Sequence, residues 1–228
     1  MNKTLIFEKN LLQMTTGAIT TAVPRTSKKA HRNIPVALVR EIVEGIPFYY
    51  PGYRGVLNKS KKLEDIMGDS GLQSLLKNTI GDILKLQIDR KRFYVFAGET
   101  GSHFNHRNNF GLDIAIYDRQ VLTPGKITAK YIDVPPKIVL EIDVKVEMPN
   151  VDGNLFEQYI LPKIQQLFAF GAEKVIWIFT KSKTIIHATA AEQWAFPKWD
   201  SDIEIMPGAM VNMARLMEDE GINLDLHL

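Results

Sequence analysis

The stretch KIVLEIDVKV, residues 137–146, sits in the middle of the chain and alternates strictly. Ile138, Leu140, Ile142, Val144 and Val146 fall on one face of a predicted strand, and Val139, Glu141, Asp143 and Lys145 on the other. Two carboxylates and an ammonium would then project to one side, about 7 Å between successive neighbours. An acid inside so apolar a run is costly unless it is paired or ligating. Upstream, residues 112–117 alternate too, with Leu112, Ile114 and Ile116 opposite Asp113, Ala115 and Tyr117. If the two strands are neighbours, Asp113 joins the acidic face.

Carboxylates gathered on one face repel one another, and a hard divalent cation resolves that repulsion. The expectation is a Mg2+ or Mn2+ site made by Asp113, Glu141 and Asp143, able to activate a water for phosphodiester hydrolysis. A lysine would stabilise the charge developing on phosphorus. Lys145, two residues beyond Asp143, is the candidate that this face offers. The plainer alternatives are ion pairs, Asp113 with Arg119 and Asp143 with Lys145 or Lys163.

Around this centre the pattern predicts a β-hairpin or flap within residues 36–53 and an amphipathic helix with its main stretch over 71–88. A strand follows at 93–97, then a loop rich in Gly, Asn and His. A helix over 154–170 carries Pro162, which should kink or open it, and Gly171 stops it. KVIWIFT, 174–180, reads as a strand buried on both faces, with 183–190 as its hairpin partner. The core order is helix, strand, strand, strand, helix, strand, an α/β sandwich with a mixed central sheet. Residues 1–33 lack any sustained period and read as an irregular N-terminal arm, leaving 34–228 as a single domain.

The 228 residues are 45% apolar and 24% charged and include no cysteine, which excludes disulfide scaffolds, thiolate zinc sites and thiol nucleophiles. Residues 1–62 carry 11 Lys or Arg against 3 acids, whereas 200–228 carry 1 against 7. A basic N-terminal quarter suits a polyanion, or docking near the acidic end. No apolar run approaches the roughly 20 residues of a membrane span, and Glu8 and Lys9 interrupt any signal-peptide core, so a cytoplasmic protein is expected. Phosphate-loop, nucleophile-elbow and dinucleotide-binding motifs are absent. His103 and His106 stand in a loop-like run with no helix to fix their geometry, which disfavours a metal role. The cluster Phe48, Tyr49, Tyr50 and Tyr53, followed by Arg54 and Lys59, would suit base stacking, but packing of a hairpin accounts for it better.

The segments REIVEGIPFYYPG, GLDIAIYDR, PPKIVLEIDVK, KIQQLFAFGAEKVIWIF and IMPGAMVNMARLME, spanning about residues 36–217, resemble the Uma-type family of restriction-endonuclease-like proteins within the PD-(D/E)XK nuclease superfamily. That resemblance implies an αβββαβ core with an N-terminal hairpin extension, DNA as substrate, and Asp113 and Glu141 as metal ligands. Lys163 matches the family's helix lysine and, one residue off the apolar stripe Ile164, Leu167, Phe168 and Phe170, could reach the sheet or point to water, so Lys145 and Lys163 both stand as candidates for the catalytic lysine. By fold analogy it also implies a homodimer. Three positions depart from the pattern: Leu112 stands where proline precedes the first acid, Asp143 where the superfamily has lysine, and Leu167 where an aromatic follows the helix lysine. The expected activity is a metal-dependent endonuclease, the rival a nuclease fold that binds nucleic acid or protein without chemistry.

Overall fold

A left-handed pair, Glu44 at φ 52° and Gly45 at φ 79°, closes the first hairpin, the backbone that a two-residue β-turn matched to strand twist demands. The computed structural model of the protein describes residues 34–143, 145–148, 154–191 and 193–227. The irregular arm expected over residues 1–33 lies outside them, as does Val144. In chain order the regular elements are β1 (Val39–Val43), β2 (Ile46–Tyr49), α1 (Tyr53–Leu57), α2 (Gly71–Gln87), β3 (Phe93–Asn105), β4 (Asn108–Asp118) and β5 (Ile138–Ile142). There follow α3 (Leu161–Phe170), β6 (Lys174–Phe179), β7 (Thr184–Thr189), β8 (Trp194–Ala195), β9 (Ile203–Met206), β10 (Ala209–Val211), α4 (Met213–Asp219) and α5 (Leu224–His227).

The main sheet runs β2-β1-β4-β5-β6-β7-β8, with β3 paired to β4 as well. Only β5 and β6 are parallel among its neighbours, so the sheet is mixed, and the parallel crossover contains α3. Leu76, Ile80 and Leu84 of α2 pack with Ile114, Ile116, Ile138, Leu140 and Ile176 in one buried cluster, to which β9, β10 and α4 add Ile205, Val211 and Leu216. By alternation Glu141 and Trp177 lie on the opposite face, against Lys163 of α3. Ser70 begins α2 with a capping box, its hydroxyl accepting from Gln73 N at 3.2 Å while Gln73 Oε1 accepts from Ser70 N at 3.3 Å.

Two expectations are corrected. Residues 98–105 are not loop: β3 continues to Asn105 and pairs with β4 across bulges at Ala97/Thr100 and His103/Asn105, which erase the period of two on which a strand is recognised. The central strand ends at Ile142, not Val146, because Asp143 turns to φ 57°. Pro162 does perturb its helix. A π turn occupies Phe156–Ile160 ahead of α3, where the proline's missing N–H breaks the regular ladder. Phe48, Tyr49 and Tyr53 are buried, as packing required, and Tyr50 lies under Arg40. Among the described residues no helix is long and apolar enough to cross a membrane.

Gly81 sets the closeness of α2 to the sheet, since a Cβ there would lie 2.6 Å from Ala97 Cβ in β3. Gly81→Ala gains about 1 kcal/mol of helix propensity and must push two elements apart. The net expectation is a loss of about 1–2 kcal/mol in urea unfolding; an unchanged or higher midpoint would mean that α2 is free to shift.

Candidate functional site

The antiparallel register pairs Ile114 with Leu140, which brings Asp113 of β4 and Glu141 of β5 to the same end of adjacent strands. Asp113 is buried, and its Oδ2 accepts from Ile142 N at 2.9 Å. Its Oδ1 is bonded to Lys145 Nζ and lies 3.5 Å from Lys77 Nζ of α2. Both lysines also hold Asp69, in the turn before α2: Lys77 binds one oxygen, and Lys145 stands 3.1 Å from the other. Glu99 in the β3 bulge completes the mouth, 3.7 Å from Lys145 and paired with Arg40. Burial opposes ionisation of Asp69, but the hydrogen bonds and charges of Lys77 and Lys145 hold its carboxyl below the usual range. Burial likewise works against the Lys145 ammonium, and Asp113, Glu141 and Asp69 outweigh it, so its pKa is raised.

Deeper in the sheet lies a second group. Lys163 of α3 is fully buried and donates to Glu41 Oε1 at 3.0 Å, with Glu141 Oε1 at 3.2 Å and Tyr159 Oη at 3.4 Å. Glu41, on β1, also accepts from Tyr159 Oη at 2.7 Å and Gly111 N at 3.1 Å. The rings of Phe110, Tyr159 and Trp177 surround the ammonium at 5.5–5.6 Å. Burial would depress Lys163, but Glu141 and Glu41 raise it, so it stays charged. Burial raises the Tyr159 hydroxyl well above its ordinary value, with Glu41 adding to the effect, and keeps it a donor. Burial also pushes Glu141 up to about 8 against the pull of Lys163, and Asp113 and Glu41 push the same way. The contact from Lys163 is misaligned, leaving Glu141 Oε1 a buried oxygen without a hydrogen bond.

Asp143 stands apart from both groups. Its carboxylate accepts from Thr180 N and Thr180 Oγ1, each at 2.7 Å, its carbonyl accepts from Trp177 Nε1 at 2.8 Å, and its N–H donates to Ile178 O at 2.7 Å. The same-face arrangement expected of Glu141, Asp143 and Lys145 therefore does not form, because the left-handed residue ends the alternation. Lys145 still reaches Asp113, by way of the turn and not of the strand. Of the five predicted residues, Asp113 with Lys145 and Glu141 with Lys163 are brought together, and Asp143 is committed to Thr180.

Glu41, Asp69, Lys77, Glu99 and Tyr159 belong to the site without having been anticipated. Glu41 carried a signal, as an acid on the inward face of β1 beside buried Val43, and so did Tyr159, four residues before Lys163 on one helix face. Asp69, Lys77 and Glu99 arrive from separate elements and had none. His103 and His106 are exposed and enter neither group.

Among the described residues no three carboxylate or imidazole groups converge on a metal position. Two carboxylates nonetheless suit Mg2+, which keeps several waters and shares substrate oxygens, and the unbonded Glu141 Oε1 is an available donor. Asp113 and Glu141 would hold such an ion.

The architecture is shared with a solved protein from Anabaena variabilis described as "a putative nuclease belonging to DUF820", at a TM-score of 0.57 and 13% identity, covering 78% of this chain and 89% of that one. The fold is thus a restriction-endonuclease-like one, mixed α/β around a large mixed sheet. No family model matches the chain, and no curated protein matches it.

Glu141 makes stability depend on pH. Its folded carboxyl keeps a proton up to about 8, whereas the ordinary value is 4.5, so the folded state binds more protons in between. Stability is full below the ordinary value and falls as pH rises toward the folded one, by up to about 1.4 kcal/mol per pH unit. In chelator, Glu141→Gln should flatten the decline in unfolding free energy between pH 5 and 8. Parallel urea-unfolding profiles for the two proteins would mean that Glu141 is ionised when folded.

Proposed function

We propose that the protein is a metal-dependent nuclease that hydrolyses DNA phosphodiester bonds, with Mg2+ or Mn2+ held by Asp113 and Glu141. The observation that carries this reading is the pair of buried carboxylates on neighbouring strands β4 and β5, each with its own lysine, within a restriction-endonuclease-like sheet. It takes in the resemblance to the Uma-type family over residues 36–217 and the nuclease description of the structural neighbour. The bound ion would supply Lewis-acid polarisation of a phosphate oxygen and a more acidic water.

The two lysines divide the remaining work by burial. Lys145, with 10% of its side chain exposed, lies at the mouth, where its ammonium can meet the phosphate and stabilise charge as the leaving oxygen departs. Lys163 is sealed beneath three rings, so it acts on the carboxyl: it pulls Glu141 toward the charged form and holds it in place. Glu41 and Tyr159 fix Lys163 in turn. Asp143 stays out of the metal shell and supports the turn that delivers Lys145.

Cleavage of linear and plasmid DNA in Mg2+ or Mn2+, with a chelator control, tests this. Asp113→Asn, Glu141→Gln and Lys145→Met are each expected to lower the rate by about 100-fold or more while leaving the fold intact. Lys163→Met strands two buried carboxyls and should also cost about 3–5 kcal/mol of stability. Cleavage that survives Asp113→Asn and Glu141→Gln in a clean preparation would sink the assignment.

One observation favours a second reading. Both Asp113 oxygens are already bonded, one to Lys145 and one to Ile142 N, so an ion would have to share this carboxylate with an ammonium that already neutralises it. A nuclease fold that only binds DNA would keep this ion pair. It would show salt-sensitive DNA binding unaffected by chelator and by Glu141→Gln, with no cleavage in any metal.

A further inference from the structure

On the outer side of β3 the 127–132 segment runs beside the strand and joins it through a parallel bridge, Ile132 N donating to Gly101 O and His103 N to Ile132 O, both at 2.9 Å. Between this segment, β3 and the end of α2 lies a cavity of about 500 Å³. Phe96, Thr100, Gly101 and Tyr131 line it, along with Lys85 and Lys130, and no acidic residue does. Lys85 is paired with Asp82 at 2.9 Å, but as a surface pair three residues apart on one helix, weak enough to exchange for a phosphate.

Tyr131 is placed in an unusual way for a tyrosine. It is 58% exposed, yet its ring is seated on backbone: a Cβ at Gly101 would come within 2.6 Å of ring atoms Cδ1 and Cε1 and 2.9 Å of Cγ. Several ring atoms meet that one point, so a face of the ring covers Gly101 and the opposite face is left to solvent. A flat, fixed aromatic surface beside two lysines has the form of a stacking platform for a nucleobase.

The cavity is also in line with the acidic centre. Lys77, Gly81 and Lys85 are successive i, i+4 positions on one stripe of α2. Lys77 contacts Asp113, Gly81 packs on Ala97 and Lys85 lines the cavity. Eight residues of helix span about 12 Å, or about three to four steps of a B-form strand. At the near end Thr100 follows Glu99, which faces Lys145.

We infer that this groove holds an unpaired nucleotide of the DNA substrate, a few positions from the bond to be cut, its base stacked on Tyr131 and its phosphates met by Lys85 and Lys130. The inference rests on the nuclease reading and adds to it a preference for a strand that is single or frayed beside the cut. Duplex base pairs are already stacked on their neighbours and cannot lie on the ring without being opened. Gly101 is part of the device, because any larger residue would lift Tyr131 away.

The test is binding of a short single-stranded DNA carrying 2-aminopurine, with a fluorescent end label, in chelator so that nothing is cut. Anisotropy should show binding to the protein and weaker binding of the same sequence as duplex. Tyr131→Ala should weaken the single strand about tenfold and restore 2-aminopurine emission, whereas Tyr131→Phe should match the wild type. Gly101→Ala, which keeps the tyrosine but displaces it, should resemble Tyr131→Ala. Lys85→Ala and Lys130→Ala should each lower the salt dependence by about one counterion. Equal affinity and quenching in Tyr131→Ala would overturn the inference, as would a wild type that cuts DNA in Mg2+ but ignores the oligonucleotide, and the nuclease reading would stand in both cases. A wild type that neither binds nor cuts would overturn the two together.

Discussion

The contact of the Lys163 ammonium with the carboxyls of Glu41 and Glu141 is the constraint on which the centre of the molecule depends. Each partner is buried, and each comes from a different element: α3, β1 and β5. Burying the ammonium or the Glu41 carboxylate alone costs several kcal/mol, and an unpaired Glu141 carboxyl is costly too, so each of the three elements depends on the other two. The N-terminal hairpin is therefore part of the core and not an ornament on it. Its Glu41 satisfies the lysine, accepts the Tyr159 hydroxyl and reaches the backbone of β4 at Gly111. The arrangement is worth more as a specification of geometry than as stability, because an apolar cluster of the same volume would cost nothing to bury.

Asp143 governs the second half of the site. A regular strand through 146 would have put Glu141, Asp143 and Lys145 in a row, with the second carboxylate directly in the acidic face. Instead the residue takes a left-handed conformation, which aspartate tolerates better than most side chains, and four hydrogen bonds to Trp177, Ile178 and Thr180 hold it there. Burial raises its carboxyl even though the Thr180 bonds favour the charge. The regular continuation of the strand is thus replaced by a turn, and the turn returns Lys145, two residues later, to the acid on the neighbouring strand. Strain of this sort persists where the surroundings over-determine it.

The sheet and its helices were legible because their apolar periods are long and uninterrupted: α2, the KVIWIF strand and the first half of the Glu141 strand fall where the pattern puts them. Residues 98–105 were illegible for the opposite reason, since two bulges and several glycines break the period while pairing to β4 continues. Asp113 and Glu141 could be named because each is a charge inside an apolar pattern, and Lys163 because it matches the helix lysine of the family the sequence resembles. Of their partners Lys145 was named too and Glu41 and Tyr159 carried a signal, but the rest had none. Asp69, Lys77 and Glu99 look like ordinary surface charges in sequence, and only the packing of α2 and β3 against β4 brings them to Asp113. Alternation also predicts which face a residue takes only while the strand lasts, and nothing local announces that Asp143 ends it.

Burial is the first cause that raises the Glu141 carboxyl, and the charges of the two groups, counted formally, act in the same direction. Arg40, Lys77, Lys145 and Lys163 face Glu41, Asp69, Glu99, Asp113 and Glu141, four cations against five acids. Glu141 is the acid that burial and its acidic neighbours raise, so the excess negative charge is removed most cheaply by protonating it. A divalent cation taking the place of the proton would turn the balance from neutral to one positive charge. A phosphodiester carries one negative charge and would restore neutrality. The same arithmetic would make the ion and the phosphate bind better together than either does alone.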